Sequence, residues 1–360
     1  MVNYSHQGLR AQPLGPLTLV WIFTARKAEV MRDTMVDIEV IKKAVQLACR
    51  APSLHNSQPW HWVVENNTVQ LYLDKDRVLY STDHSGREAL IGCGAALDHF
   101  RVAMAAAGWT ANVERFPNPN NLLHLASVDF SPMDFVTDGH RRRADAVLQR
   151  RTDRLPFAEP PDWDSVEPQL RSAVTSDAVR LDVIGDELRQ ELAEASQLTE
   201  SLRLYDSSYH AELSWWTGPF ETREGIPDSS LVSAPESDRV DIGRTFPVTR
   251  NTERRLGLGQ DHAKVLVLST YDNERDSVLR CGETLSAILL DAAMAGLATC
   301  TLTHITELRA SREIVASLIE QTTTPQVLIR VGEIPQIDDV PPPTPRRPID
   351  EVFEIRSKDR

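Results

Sequence analysis

The residues best suited to chemistry fall in three clusters of this chain. The first is Arg150-Arg151-Thr152-Asp153-Arg154-Leu155-Pro156-Phe157, which follows another basic run, Arg141-Arg142-Arg143. Guanidinium groups pair bidentately with phosphate oxygens, and a hydroxyl such as that of Thr152 can donate beside them. A basic run can equally be a solvated face, and for Arg141 to Arg143 that plainer reading is preferred. The second cluster is Arg346-Arg347-Pro348, where the same two readings stand. The third is a turn, Arg50-Ala51-Pro52-Ser53-Leu54-His55-Asn56-Ser57-Gln58-Pro59-Trp60. Pro52 stops the preceding helix, and Ser53 and Asn56 offer hydroxyl and amide groups to a polar heterocycle or a ribityl chain. The same residues also make a well-capped turn with no ligand.

Other chemistries find no support. The chain has four cysteines, Cys49, Cys93, Cys281 and Cys300, with no Cys-x-x-Cys pair. That pattern suits a reducing compartment and argues against a disulfide framework or a structural zinc site. The ten histidines contain no His-Glu-x-x-His, and His55 and His61 lack a third nearby ligand, so no metal centre is expected. Gly92-Cys93-Gly94-Ala95-Ala96-Leu97 is a broken Gly-x-Gly-x-x-Gly that follows helical sequence rather than a strand. There is no Gly-x-Ser-x-Gly and no phosphate-loop lysine. With 39 basic against 52 acidic residues the net charge is −13, which repels a nucleic-acid backbone. A dense cationic cluster in such a chain needs a reason. An apolar fraction of 41% across 360 residues places the chain among ordinary globular proteins.

The elements that must position these clusters are written twice. Cys93-Gly94 and Cys281-Gly282 each open an Ala-rich helical segment with a Leu four residues after the Cys and a Gly fifteen after it. The matching starts and stops indicate a duplication, with the closing glycines, Gly108 and Gly296, as left-handed helix caps. Small residues on both helices would let two backbones approach closely. A helix is expected over Ile38 to Arg50, a hairpin from Trp60–Val64 and Val69–Leu73, and strands at Leu122–Phe130, Lys264–Thr270 and Gln326–Val331. Strands and helices do not alternate regularly, so the expected class is α+β. The repeats span 35–145 and 146–360, the second carrying an irregular insertion at about 211–247. Its Trp215-Trp216-Thr217-Gly218-Pro219-Phe220 run reads either as a lid or as a loop capping an apolar patch. Residues 1–34 read as a poorly ordered extension, because the apolar run Pro13–Ala25 falls short of the ~20 residues a membrane span needs.

At this point the chain resembles a known family. Ala51-Pro52-Ser53-Leu54-His55-Asn56-Ser57-Gln58-Pro59-Trp60 is similar to the Ala-Pro-Ser-x-x-Asn-x-Gln-Pro-Trp turn of the FMN-dependent nitroreductase superfamily. Arg150 to Phe157 resembles its Arg-Arg-Ser-x-Arg phosphate-binding opening. The run from Arg280 through Gly296–Glu307 and Val327–Pro335 to Arg346–Val352 resembles its C-terminal helix, flavin loop, last strand and closing basic-Pro motif. The order of these parts, with Leu302-Thr303-His304 and Trp215-Trp216-Thr217, resembles the Acg family of actinobacteria. The likeness covers most of Met35 to Ile355.

The resemblance implies two fused nitroreductase-like repeats that imitate a dimer within one cytoplasmic, monomeric chain. Pro52, Ser53 and Asn56 would come from the first repeat to contact the ribityl chain and ring. Arg150, Arg151, Thr152 and Arg346 would come from the second to hold the phosphate, with Arg347 as the competing choice, and Arg154 would lie near the isoalloxazine edge. Each motif occurs once, so one FMN site per chain is expected. Where the superfamily often has Glu-Gly beside the flavin, this chain has Thr303-His304 with Thr301 nearby. The implied activity is NAD(P)H-linked hydride transfer to nitro compounds or quinones, with chemistry carried by FMN rather than by an acid–base dyad. The competing reading is a flavin-sequestering protein with little turnover, its flavin covered by the insertion. The Acg family's association with dormancy suits either. Neither nucleic acid nor membrane is an expected partner.

Overall fold

The computed structural model describes residues 35–218, 223–247, 249, 252–319, 322–334 and 342–356. The expected N-terminal extension, and Pro219 and Phe220, lie outside the described residues. In chain order the first elements are α1 (Ile38–Ala48), β1 (Trp60–Glu65), β2 (Thr68–Leu73), α2 (Arg87–Ala106), β3 (Trp109–Arg115), β4 (His124–Pro132), α3 (Asp138–Gln149) and α4 (Trp163–Ser172). Next come β5 (Val179–Ile184), α5 (Arg189–Arg203), α6 (Ser207–Trp216), α7 (Ala234–Ser237), β6 (Lys264–Thr270) and α8 (Arg275–Met294). The last are β7 (Ala298–Leu302), α9 (His304–Glu307), α10 (Arg309–Leu318), β8 (Thr324–Gly332), α11 (Ile349–Val352) and β9 (Phe353–Arg356).

Local chemistry explains the boundaries that matter. The Asp37 carboxylate accepts from the Glu39 N–H at 2.9 Å and so caps α1. Asn66 and Asn67, with φ of 49° and 63°, make the tight β1–β2 turn that asparagine tolerates best. The strands form two sheets, in the orders β3-β4-β2-β1-β9 and β5-β6-β8-β7. All pairs are antiparallel except β1–β9, where Trp62 lies opposite Phe353. The end of the chain therefore returns to complete the sheet begun by its first hairpin. The class is α+β, as expected.

The two Cys-Gly helices α2 and α8 pack against each other in the core. A Cβ on Gly94 would lie 2.1 Å from the Leu279 carbonyl oxygen, and one on Gly282 would lie 2.1 Å from that of Ile91. The two glycines thus admit a backbone approach that no other residue would permit. Gly108 and Gly296 follow these helices with φ of 90° and 77°, the left-handed conformation expected of them. Helix α2 is long and apolar enough to cross a membrane, but it is buried in the core. All four cysteines are free and buried, and no cluster of potential metal ligands occurs among the described residues.

Strands β3, β5, β7 and β9 were not expected. Strand β3 alternates half-buried with exposed residues, and β9 is a four-residue edge strand that exists through its pairing with β1. Neither leaves a strong apolar pattern in the sequence.

Candidate functional site

A cleft of about 620 Å³ is walled by the turn after α1, the first half of α2, the β7–α9 junction and inserted residues around 232–246. A subsite of about 50 Å³ shares Pro52, Ser53, Thr152 and Arg154 with it. The structure gathers nearly every residue singled out from the sequence. Thr301, Thr303 and His304 line the cleft, and Asn56, Arg150, Arg151 and Arg346 line the subsite. Arg347 lines neither. It pairs with Asp74 at 3.3 Å and Glu351 at 3.5 Å, and its N–H donates to Gln58 Oε1.

The turn after α1 is strained into shape. His55, Asn56 and Gln58 all have positive φ, of 47°, 60° and 53°. Such conformations cost on the order of 1 kcal/mol or more each and persist only where surrounding contacts enforce them. Here the Gln58 N–H donates to Ser53 Oγ, and Gln58 Nε2 donates to the Asn56 and Arg223 carbonyls. Asn56 Nδ2 donates to the carbonyls of Gly225 and Pro345 at 3.0 and 3.1 Å. Its amide N–H groups therefore tie the turn to the insertion and to the C-terminal segment, rather than standing free.

In the subsite, Arg50, Arg150, Arg151 and Arg346 face one another without a carboxylate partner among the described residues. The Arg346 guanidinium donates to the carbonyls of Cys49, Arg50, Ala51, Thr344 and Pro345, which occupies its N–H groups and satisfies the carbonyl end of α1. Arg150 is different. Its Nη2 reaches the Arg50 carbonyl at 3.3 Å, but Nε and Nη1 are buried without partners. Burial, then Arg50 and Arg151, pull this guanidinium down to about 10. An anion at this point would pair with the buried charge and offset the repulsion from Arg50 and Arg151. Arg50 was not picked from the sequence as a site residue. Its signal there is a cation at a helix end, directly before the Pro-Ser turn.

The segment carrying Arg150 is fixed by a second group of arginines that do meet acids. The fully buried Asp261 pairs with Arg330 and Arg189 and accepts from the Phe157 N–H at 2.8 Å. Arg330 also donates to the Leu155 carbonyl and lies over the Phe157 ring. Arg255 pairs with Asp153 and donates to the Pro156 carbonyl, and the Asp153 N–H donates to the Thr299 carbonyl. Residues 153–157 are held from several sides, so the preceding arginines have fixed positions.

At the cleft, Arg244 of the insertion is the buried hub. It pairs with Glu307, and Nη1 meets Tyr209 Oη at 2.8 Å. Burial opposes its charge, but Glu307 and Tyr209 outweigh that and hold it above its usual range. Burial, then Arg244 and Arg154, drive His55 well below its ordinary value, and both its ring nitrogens lack partners. Burial and Arg244 do the same to His304, whose Nε2 lies 2.8 Å from Ser196 Oγ and whose Nδ1 is unpartnered. Neutral imidazoles therefore line this wall.

The insertion covers the site with residues other than its tryptophans. Ile226, Pro227 and Ser230 line the subsite, while Arg244 and Phe246 line the cleft, with Arg154 5.1 Å from the Phe246 ring. Trp215 is 74% exposed, Trp216 lies under Arg77, and neither lines the cleft or the subsite. Arg244, Phe246 and Glu88 carry no local motif that would mark them from sequence, and His55 lies within the Pro-Ser turn at a position the motif leaves open.

No protein-family model matches the chain. A protein of Mycobacterium tuberculosis strain H37Rv that carries the provisional name NAD(P)H nitroreductase acg is 76% identical over 329 residues, 91% of this chain and 99% of that one. A second provisionally named NAD(P)H nitroreductase of that strain is 35% identical over 338 residues, covering 90% and 94% of the two chains. Among solved structures, a nitroreductase with bound FMN from Bacteroides fragilis is 12% identical with TM-score 0.34, covering 55% of this chain and 94% of its own. The FMN and NADPH-dependent nitroreductase NfnB from a Sphigopyxis strain is 15% identical with TM-score 0.37, covering 60% and 99%. With 76% identity over 91% of its length, the chain belongs to the Acg family of nitroreductases.

Proposed function

We propose that the chain binds one FMN and acts as an NAD(P)H-linked oxidoreductase toward nitro compounds or quinones. The observation that carries this reading is Arg150, a buried guanidinium with unpartnered N–H groups, beside other acid-free arginines, opening toward a cleft of about 620 Å³. A phosphate supplies the charge and acceptors that this group lacks. The residues present fit the cofactor: Arg150, Arg151 and Thr152 would hold its phosphate, and Arg346 would keep the end of α1 in place behind them. Pro52, Ser53 and Arg154, shared by both cavities, would border the ribityl chain and ring, with Thr301, Thr303 and His304 along the cleft wall. When bound, FMN supplies the hydride chemistry that no side chain here provides. Arg154 places a positive charge beside the cleft, which favours an anionic reduced ring. Phe246 and its neighbours would add an apolar wall beside the ring. The nitroreductase names of the 76% and 35% identical relatives support the activity and its electron donor.

The turn belongs to residues 35–145 and the arginine segment to 146–360, which supports a pseudo-dimer with one site in a monomeric chain. The placement of residues 226–246 along both cavities favours a second reading, a flavin held but shielded. Anaerobic titration with NADPH separates the two. Bleaching of a stoichiometric flavin band on the first additions supports the reductase. A band bleached only by dithionite supports shielding, and a protein that takes up no FMN overturns both.

A further inference from the structure

Gln58 lines neither cavity and has no part in the reading above. It is fully buried, and both polar atoms of its side chain are engaged. Nε2 donates to the Asn56 carbonyl at 3.2 Å and to the Arg223 carbonyl at 3.1 Å. Oε1 accepts from the Arg347 N–H at 2.8 Å. One carboxamide therefore joins the turn after α1, the insertion and the C-terminal segment. Asn56, two residues earlier, reaches the same two segments through the Gly225 and Pro345 carbonyls. Pro345 and Arg347 are the chain neighbours of Arg346, so the two amides grip the backbone on either side of that guanidinium. Arg223 and Gly225 lead directly into Ile226 and Pro227, which form another wall of the subsite. The Gln58 N–H adds a third hold, on Ser53 Oγ at 3.0 Å. It engages the hydroxyl as an acceptor and leaves the Ser53 proton to donate elsewhere.

We propose that Gln58 is the positioning residue of the phosphate subsite, and that its bracket makes the chain select phosphorylated flavin over riboflavin. This rests on the FMN binding proposed above. The arginines gathered at the subsite repel one another, and Arg346 faces both Arg50 and Arg150. The segment carrying Arg346 must be held against that repulsion before any ligand arrives. A carboxylate could hold it, but it would also compete with phosphate for the same cations. A neutral amide supplies donors and an acceptor without that charge. Its partners at 223 and 347 are backbone groups, so the bracket fixes the path of both segments. The cost is a backbone φ of 53° at Gln58, a conformation that persists only where such contacts enforce it.

The test is equilibrium dialysis of ligand-free wild type, Q58N and Q58G against FMN and against riboflavin, which lacks the phosphate. Asparagine and glycine both accept a positive φ, so neither variant strains the turn. Neither carries an amide long enough to span Arg223 and Arg347. Both variants are expected to bind FMN roughly tenfold or more weakly and riboflavin within about twofold of wild type. Unchanged FMN affinity overturns the assignment of Gln58. Equal weakening for both flavins also overturns it, because a general loosening of the fold does not distinguish them. In flavin-free wild type the Arg347 N–H is expected to exchange slowly with deuterium, and rapid exchange overturns the bracket whatever the variants do. Wild type that takes up no FMN, or that binds the two flavins equally, instead overturns the underlying phosphate site.

Discussion

Two sets of buried arginines meet around the segment 150–157, and they differ in what faces them. Arg330, Arg189 and Arg255 face the carboxylates of Asp261 and Asp153. Arg150, Arg151 and Arg346 face backbone carbonyls and one another. A buried cation with its own acid is complete without a ligand, and removing either partner strands the other. A buried cation among like charges costs the free protein stability, and an outside anion removes that cost. The first set therefore holds the backbone, and in the proposed reading Arg150 and Arg151 of the second set would receive the anion. Sequence composition does not separate the sets, since all are arginines.

The largest effect should come from breaking the first set. Asp261→Ala leaves Arg330 without a carboxylate partner in the core, while Arg189 keeps Asp241, and should cost about 3–5 kcal/mol, read as a lower denaturant midpoint. Removal from the second set should behave oppositely. Arg150→Ala should leave the ligand-free protein as stable as wild type or more so. It should weaken FMN binding roughly 10- to 100-fold, as expected for lost hydrogen bonds to a charged group of about 1.5–3 kcal/mol, measured by equilibrium dialysis. An equal loss of stability in both variants would erase the distinction between the sets.

Acid sharpens the comparison further. Burial works against ionising Asp261, but Arg330, the Phe157 N–H and Arg189 outweigh it and hold the carboxyl below its ordinary 3.8. A group whose folded value lies below its unfolded one adds stability above the unfolded value and loses it as pH falls through the folded value. Wild type should therefore lose stability more steeply than Asp261→Asn between about pH 5 and pH 3. Parallel pH curves would remove Asp261 as the source. The smallest effect is expected at Arg347, which has acids of its own. Arg347→Ala should cost about 1 kcal/mol and change FMN affinity by less than about twofold, and a loss matching that of Arg150→Ala would return it to the phosphate site.

Much of the scaffold was legible because burial leaves a pattern. Helix α1, the β1–β2 hairpin, β6 and β8 follow from apolar and β-branched runs, and the paired Cys-Gly helices announced the contact of Gly94 with α8 and Gly282 with α2. Edge strands such as β9 depend on a partner distant in the chain and left little trace. The site was legible where it is local. Pro52-Ser53 and Arg150 to Arg154 are each a short local motif, which folding brings to one cavity, whereas Arg244 and Glu88 stand in no such motif and reach the cleft only through folding. The aromatic run at Trp215 drew attention by composition, yet among the described residues of the insertion it is Arg244 and Phe246, not Trp215 or Trp216, that line the cleft.

By itself, the sequence determined which chemistry was on offer: acid-poor arginine clusters, a polar Pro-Ser turn, and no nucleophile, metal or dinucleotide motif. Residue type alone settles what a group can donate, accept or ionise. Only the tertiary structure decided which groups are used. Arg346 and Arg347 are adjacent in the chain, yet one lines the subsite and the other is paired to Asp74 outside it. Arg150 and Arg330 are both buried, yet one lacks an acid and the other shares Asp261. Electrostatic energy depends on distance and burial, and those are set by which distant segments the fold packs together.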